Sequence, residues 1–281
     1  MGVSQNGRAG MWEIHENILW VQEGYSTRDV FLVQSSILIH GTGGEVRILH
    51  LEGKDPREAP HGWDHDLVVP SFFLERTTGS GIGDSLFLVG GRRNPRSGLR
   101  LDLHSGEWTP LPKMIDGRED SALVILDPHN ILVLGGWDPE KEAILSSCEC
   151  LDMREGQWKR PDTPLCLPLP VSGHAATLYD GHVFISGGED KVASRKEAWR
   201  WRVDGGGPWD ELPSLQFERQ YHGMIGDGEG TLQVIGGIHQ REWKYTGEVL
   251  SMEILPMEEA KVWETRPILS YKNMWKTSEM K

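Results

Sequence analysis

Short apolar runs that end in paired glycines punctuate the chain. They are Ile37-Leu-Ile-His-Gly-Thr-Gly-Gly44, Leu86-Phe-Leu-Val-Gly-Gly91, Ile131-Leu-Val-Leu-Gly-Gly136, Val183-Phe-Ile-Ser-Gly-Gly188 and Leu232-Gln-Val-Ile-Gly-Gly237. The pairs recur every 45–52 residues. A run without polar alternation reads as a strand covered on both faces. After each pair comes a polar loop and then a stretch with partial alternation, as in Leu99-Arg-Leu-Asp-Leu103, Cys148-Glu-Cys-Leu-Asp152, Trp199-Arg-Trp-Arg-Val203 and Val249-Leu-Ser-Met-Glu-Ile254. These read as strands with one better-buried face. Before the pair stands another strand, such as Ser121–Leu126, with a turn at Asp127-Pro-His-Asn130. Tryptophans keep step at Trp20, Trp63, Trp108, Trp158, Trp209 and Trp263, most of them after turn-rich stretches. The predicted unit is therefore strand, turn, apolar strand, loop, alternating strand, turn, tryptophan strand. No stretch shows a helical stripe, so the fold is expected to be all-β.

Four strands in about 45–50 residues form the unit of a propeller blade. A lone four-stranded sheet leaves both faces wet, so each must stack on its neighbours. Glycines at the end of the central strand allow positive φ and close backbone approach where strands converge. The indole rings supply about 150–250 Å² each for packing. The 34 glycines and 12 tryptophans in 281 residues are thus scaffold features. The repeat positions are Gly43, Gly44, Gly90, Gly91, Gly135, Gly136, Gly187, Gly188, Gly236 and Gly237, with Trp108, Trp158, Trp209 and Trp263.

Charge narrows the function. The 29 basic and 42 acidic residues leave a net −13, which argues against sequence-independent nucleic-acid binding. No apolar run approaches the roughly 20 residues of a membrane helix, and the opening MGVSQNGRAG has no apolar core for a secretory signal. Three cysteines, Cys148, Cys150 and Cys166, cannot make a disulfide framework and suit a reducing compartment. The expected location is the cytoplasm, with the nucleus also open to the chain.

The Gly-Gly pairs, the later Trp and the Pro after it resemble kelch repeats. The third unit is nearest the pattern, running Trp108-Thr-Pro-Leu-Pro-Lys-Met, then Ile131-Leu-Val-Leu-Gly-Gly-Trp-Asp-Pro-Glu-Lys-Glu142, then Cys148-Glu-Cys-Leu-Asp-Met-Arg-Glu-Gly-Gln-Trp158. The resemblance implies an all-β kelch-type β-propeller over residues 25–265, with about five recognisable four-stranded blades and an incomplete sixth. Residues 1–24 are expected to supply outer strands of a closing blade, and 266–281 a tail or partial closing strand. The first unit departs from the pattern at Gly41-Thr-Gly-Gly44. The sixth has Trp263 but no diglycine before Lys281.

Catalytic constellations are sparse. Cys148 and Cys150 alternate on one strand and offer half a metal site at most. The segment His61-Gly-Trp-Asp-His-Asp66 is dense in ligand types but reads as an inter-strand turn, where such residues are common. Gly79–Gly83 and Gly205–Gly207 lack the Lys-Ser/Thr and following helix of a phosphate loop. No Gly-x-Ser-x-Gly element is present. We expect no enzyme activity, no metal and no cofactor. Some kelch-like propellers are copper oxidases, but that reading needs a Tyr/His cluster with a crosslinkable Cys, which the spacing does not offer.

Binding chemistry is expected on loops. The loops after the diglycines carry Arg92, Arg93, Arg96, Trp137, Arg195 and Trp243, residue types enriched at energetic hot spots. In substrate-binding kelch propellers an Arg or Ser stands near the start of each first strand. The resemblance carries that role to Arg118, Ser172 and Arg219, with Arg76 a looser match. On this reading, reversing the charge of Arg118 and Arg219 removes a partner and leaves stability unchanged. The function implied is protein binding, as the substrate receptor of a cullin-RING ubiquitin ligase of the BTB-kelch type. Residues 1–24 are expected to be too few for a BTB fold, so a cullin is a partner only where a BTB region is present in the full-length product. The alternative is a scaffold or actin-binding kelch protein. F-box proteins and tRNA-modifying methyltransferases also carry such propellers.

Overall fold

The computed structural model describes strand segments within residues 10–68, then residues 76–161, 165–205 and 207–226, and strands at 231–235, 251–256 and 264–267. Among these residues every regular element is a strand. The chain divides into two compact units, Met1–Pro112 and Lys113–Lys281.

In the first unit, β1 (Gly10–Ile14) and β2 (Asn17–Val21) pair as a two-stranded sheet of their own. Blade 1 follows as β3 (Thr27–Val33), β4 (Ser36–Gly41), β5 (Glu45–His50) and β6 (His65–Val68). Blade 2 is β7 (Thr77–Ile82), β8 (Ser85–Gly90), β9 (Gly98–Asp102) and β10 (Trp108–Leu111).

The second unit opens with blade 3: β11 (Ala122–Asp127), β12 (Asn130–Leu134), β15 (Cys148–Asp152) and β16 (Gln157–Lys159). A small hairpin, β13 (Trp137–Asp138) with β14 (Ala143–Ile144), is set between its second and third strands. Blade 4 is β17 (Ala175–Tyr179), β18 (His182–Ser186), β19 (Ala198–Arg202) and β20 (Asp210–Leu212). Blade 5 is β21 (Gly223–Gly226), β22 (Thr231–Ile235), β23 (Ser251–Pro256) and β24 (Glu264–Pro267). The described residues thus hold five four-stranded antiparallel meanders.

The predicted second strands are the most deeply covered. Every residue of β8 is buried, and Ile131 to Leu134 and Val183 to Ser186 are likewise buried. The third strands alternate as expected: Cys148, Glu149 and Leu151 are buried, Cys150 and Asp152 half-buried. In the second unit the first strands β11, β17 and β21 lie side by side. Between blades 3 and 4 a core gathers Val124, Leu132, Leu134, Leu167, Val183, Ile185, Trp199 and Trp201, with Trp209 packed against it. A second core, between blades 4 and 5, holds Phe184, Leu212, Leu215, Met224, Leu232 and Val234. Trp158 is buried opposite Leu151, while Trp108 and Trp209 are half-buried. Gly43, Gly44, Gly236, Gly237 and Trp263 lie outside the described residues.

The diglycines are where one blade grips the next. Gly136 N–H donates to Val171 O at 2.9 Å, and Gly188 N–H to Arg219 O at 2.8 Å. Gly187 has φ +59°, and a Cβ there would stand 2.4 Å from Arg219 O and 2.6 Å from the His222 ring. Both the backbone conformation and the space exclude a side chain. Gly187→Ala is expected to cost about 2 kcal/mol or more. Urea unfolding of that variant checks it, and an unchanged midpoint would mean this contact is dispensable.

Candidate functional site

Where each first strand begins, the chain makes one repeated turn. Glu119 bridges to Trp137 and Ser172 to Glu189 as isolated antiparallel pairs, so these two residues are equivalent and Gln220 takes the same place in blade 5. One residue earlier stand Arg118, Val171 and Arg219. The expected alignment of Arg118, Ser172 and Arg219 is therefore off by one. Counting back four residues from the small residues Ala122, Ala175 and Gly223 gives the correct register.

Burial changes the meaning of the arginines. Arg118 and Arg219 are both 0% exposed, so neither presents a guanidinium on a loop face. This corrects the expectation that they face a partner. Arg118 Nη1 donates to Gly135 O at 2.7 Å and Ser147 O at 2.9 Å; Nη2 donates to Ser147 Oγ at 3.0 Å and Glu149 Oε1 at 2.9 Å. Its Nε also reaches Glu149 Oε1, at 3.2 Å. Glu149 is itself fully buried and accepts from the backbone N–H of Ile115 at 2.6 Å and Asp116 at 2.9 Å. Arg118 therefore bolts the entry to β11 onto the diglycine and β15. Blade 4 carries Val171 and Trp199 at the matching positions. Its counterpart of Ile115 is Pro168, which has no N–H to donate.

Two histidines complete the inner layer. His174 and His222 sit one residue before β17 and β21 and are buried. Gly135 lies against the His174 ring and Gly187 against that of His222. Burial, then the neighbouring Arg118 charge, pushes His174 down to about 4. Burial, then Arg219 and His174, pushes His222 down to about 3. His222 Nε2 is 2.9 Å from Ser186 Oγ.

On the outer side of this layer Asp120, Gly173 and Tyr221 share a left-handed backbone, with φ of 50°, 61° and 55°. Gly173 N–H donates to Asp120 O at 2.8 Å and Tyr221 N–H to Gly173 O at 2.8 Å, linking three blades in sequence. The Tyr221 hydroxyl reaches across to Asp120 Oδ2 at 3.2 Å. Gly173 makes room for it, since a Cβ there would lie 3.1 Å from the Tyr221 ring. Tyr221 remains 46% exposed, so this edge offers an aromatic ring with a phenol and a carboxylate beside it. Arg76 in the first unit has the same backbone conformation, with φ 57°, and so is not equivalent to Arg118.

The loops of blades 3 and 4 form a groove. Ala143, Ile144, Leu169, Pro170 and Val192 line it, with Asp190, Lys191 and Arg195 on its rim. Val192 is 85% exposed at the loop tip. The rim is held in place. Lys191 Nζ lies 5.3 Å from the centre of the Trp137 ring and donates to Glu142 O at 2.9 Å. Arg195 pairs with Asp190 and, at 3.5 Å, with Glu197. Below, Asp116 receives Lys141 at 2.6 Å and Arg160 at 3.1 Å. Burial works against its charge, but Lys141, Arg118 and Arg160 together outweigh this and keep the carboxyl below its usual range.

The remaining expected residues fall in several places. Trp137 and Arg195 reach this groove region, Trp137 half-buried under Lys191. Ser172 is buried and acts through its backbone bridge, which corrects its expected place on a binding face. Arg92, Arg93 and Arg96 are exposed on the turn between β8 and β9 of the first unit. Trp243 lies outside the described residues. Sequence reasoning missed Val192, Leu169 and Tyr221. The only signal for Val192 is an apolar residue inside the polar run Glu189–Lys196.

Two of the three cysteines, Cys148 and Cys150, offer little nucleophilic chemistry. Burial pushes the Cys148 thiol up to about 12 and that of Cys150 to about 11. Among the described residues no three His, Cys, Asp or Glu side chains cluster to hold a metal ion. Gly79–Gly83 forms β7 and the start of its turn into β8, not a phosphate cradle.

The sequence model of the Kelch motif matches residues 124–163, which run from within β11 to just past β16. The chain is also similar to Kelch-like protein 36. It is 26% identical to the mouse (Mus musculus) and rat (Rattus norvegicus) proteins over 255 residues, covering 85% of this chain and 40% of each relative. The cattle (Bos taurus) protein is 27% identical over 184 residues, which is 61% of this chain and 28% of the relative. The chain thus spans about two-fifths of the length of the mouse and rat relatives.

Proposed function

We propose, on the premise that this chain is a kelch-repeat protein, that its loop surface binds a protein partner through the groove between the blade 3 and blade 4 loops. The observation that carries this is an apolar lining with a fixed charged rim: Ile144, Leu169 and Val192 beside Asp190, Lys191 and Arg195. An apolar pocket with a polar border suits an apolar side chain of a peptide flanked by charge. Within the first unit, the exposed Arg92, Arg93 and Arg96 offer a separate cationic loop. The finer reading is a substrate-recognition module of a cullin-RING ubiquitin ligase, in a product that also carries a BTB region. Similarity to Kelch-like protein 36 over most of this chain supports that reading. Three free cysteines suit action in the cytoplasm or nucleus.

The test starts from a partner identified by affinity capture and then purified. Val192→Glu is expected to weaken its binding at least tenfold while the thermal melt stays within about 1 °C of the parent, as for an exposed position. Unchanged affinity would move the site away from the groove. Loss of the partner's ubiquitylation on depleting the chain tests the ligase reading separately.

A further inference from the structure

The third and fourth strands of blades 2, 3 and 4 meet in one register. Arg100 stands opposite Thr109, Cys150 opposite Lys159, and Arg200 opposite Asp210. Directly opposed residues on antiparallel strands share a face, with Cβ atoms about 5 Å apart. In blade 4 the two opposed residues are an ion pair, Arg200 Nε to Asp210 Oδ2 at 3.3 Å. Blade 2 keeps the arginine but has a neutral hydroxyl where blade 4 has the acid.

The arginine is held in place by its neighbours, and its charge already favours the carboxylate of Asp102, two residues along the same strand. Arg100 is half-buried, its guanidinium 6.0 Å from the centre of the Phe87 ring, and its Nε donates to Ser85 Oγ at 3.0 Å. Among the described residues its two Nη groups make no hydrogen bond. Thr109 is exposed on β10, the outermost strand of the blade, and is followed by Pro110. That strand is four residues long, and its proline contributes no N–H to the ladder. The segment is therefore extended, accessible and cheap to lift locally.

We propose that Thr109 is a phosphoacceptor for a proline-directed kinase, and that Arg100 holds the phosphate, giving blade 2 the acid–arginine pair built into blade 4. In the transfer, Thr109 Oγ1 bonds to the γ-phosphorus of a nucleoside triphosphate. The bond from that phosphorus to the β-phosphate oxygen breaks, the nucleoside diphosphate leaves, and the hydroxyl proton passes to the kinase's base. The product carries a charge of about −1.5 to −2 and three acceptor oxygens. A guanidinium can meet two of these at once. The added charge on a sheet edge also blocks pairing with a strand of another molecule.

The experiment treats the full chain with ATP, magnesium and a purified proline-directed kinase, then maps phosphate by peptide mass spectrometry. Thr163-Pro164, the other Thr-Pro in the sequence, serves as the internal comparison. Phosphate is expected on Thr109, with a rise in melting temperature of about 2–4 °C. The rise is expected to vanish in Arg100→Met. A kinase-free arm compares Thr109→Asp with Thr109→Asn: the aspartate should be the more stable only where Arg100 is present. An unmodified Thr109 overturns the proposal, whether or not Thr163 is modified. So does a rise that persists in Arg100→Met, or an aspartate no better than asparagine with Arg100 intact.

Discussion

Replacing Arg118 with methionine is expected to destabilise the second unit by about 3–5 kcal/mol, the usual cost of breaking a buried ion pair from one side. The guanidinium makes five hydrogen bonds, to Glu149, Ser147 and the Gly135 carbonyl, with no exposure to water. Without it, Glu149 keeps a buried charge answered only by the Ile115 and Asp116 N–H groups. A loss of that size is comparable to the whole stability of a marginal domain. Urea unfolding at neutral pH measures it, and a variant that unfolds like the parent would remove Arg118 from the scaffold.

The repeat supplies the rescue. Blades 3 and 5 place an arginine at this position, Arg118 and Arg219. Opposite their second strands they place Glu149, paired with Val133, and Glu253, paired with Val234. Blade 4 replaces both partners with apolar residues, Val171 and Trp199. The double variant Arg118→Met with Glu149→Leu is therefore expected to recover part of the loss, since no buried charge is left alone. Recovery stops short because the Ile115 and Asp116 N–H groups then lack their acceptor, a difficulty that Pro168 avoids in blade 4 at the first of these positions. Either single change should be worse than the double.

Acid is expected to withdraw stability well above the pH at which carboxylates protonate. His174 and His222 are neutral in the fold, burial and neighbouring arginines having pushed them down to about 4 and about 3. In the unfolded chain each takes a proton near pH 6.5. Between these values the unfolded state binds more protons, so stability is full above about pH 6.5 and falls as the pH drops toward 4. Each histidine accounts for roughly 3 kcal/mol across that window. The measurement is the urea midpoint from pH 7.5 to 4. His174→Leu combined with His222→Gln is expected to flatten the profile in this window, the glutamine retaining a group that can meet Ser186. A slope that survives both substitutions would assign the acid sensitivity to other groups.

Much of the scaffold was legible because its signals are local. Period-2 alternation, uninterrupted apolar runs and turn residues each act over a few residues, so the four-strand unit, its all-β character and the buried second strands could be read directly. The diglycines announced close approach, although only the fold shows that the next blade's backbone and histidine make it. Arg118 and Arg219 misled for the opposite reason. An arginine in a turn-rich segment looks the same whether it faces water or a glutamate 31 residues further along, as Arg118 does. A one-residue slip in matching the repeats then put Ser172 in their company.

Chain order alone determined that this protein is a succession of small antiparallel sheets, because the contacts that form each sheet join segments close in sequence. Which polar residues are sunk into the interior and which apolar ones are left on the loops was decided by packing between the strands of one blade and between blades. Burial of Arg118 depends on what the next strands bring beside it, and exposure of Val192 on what they do not.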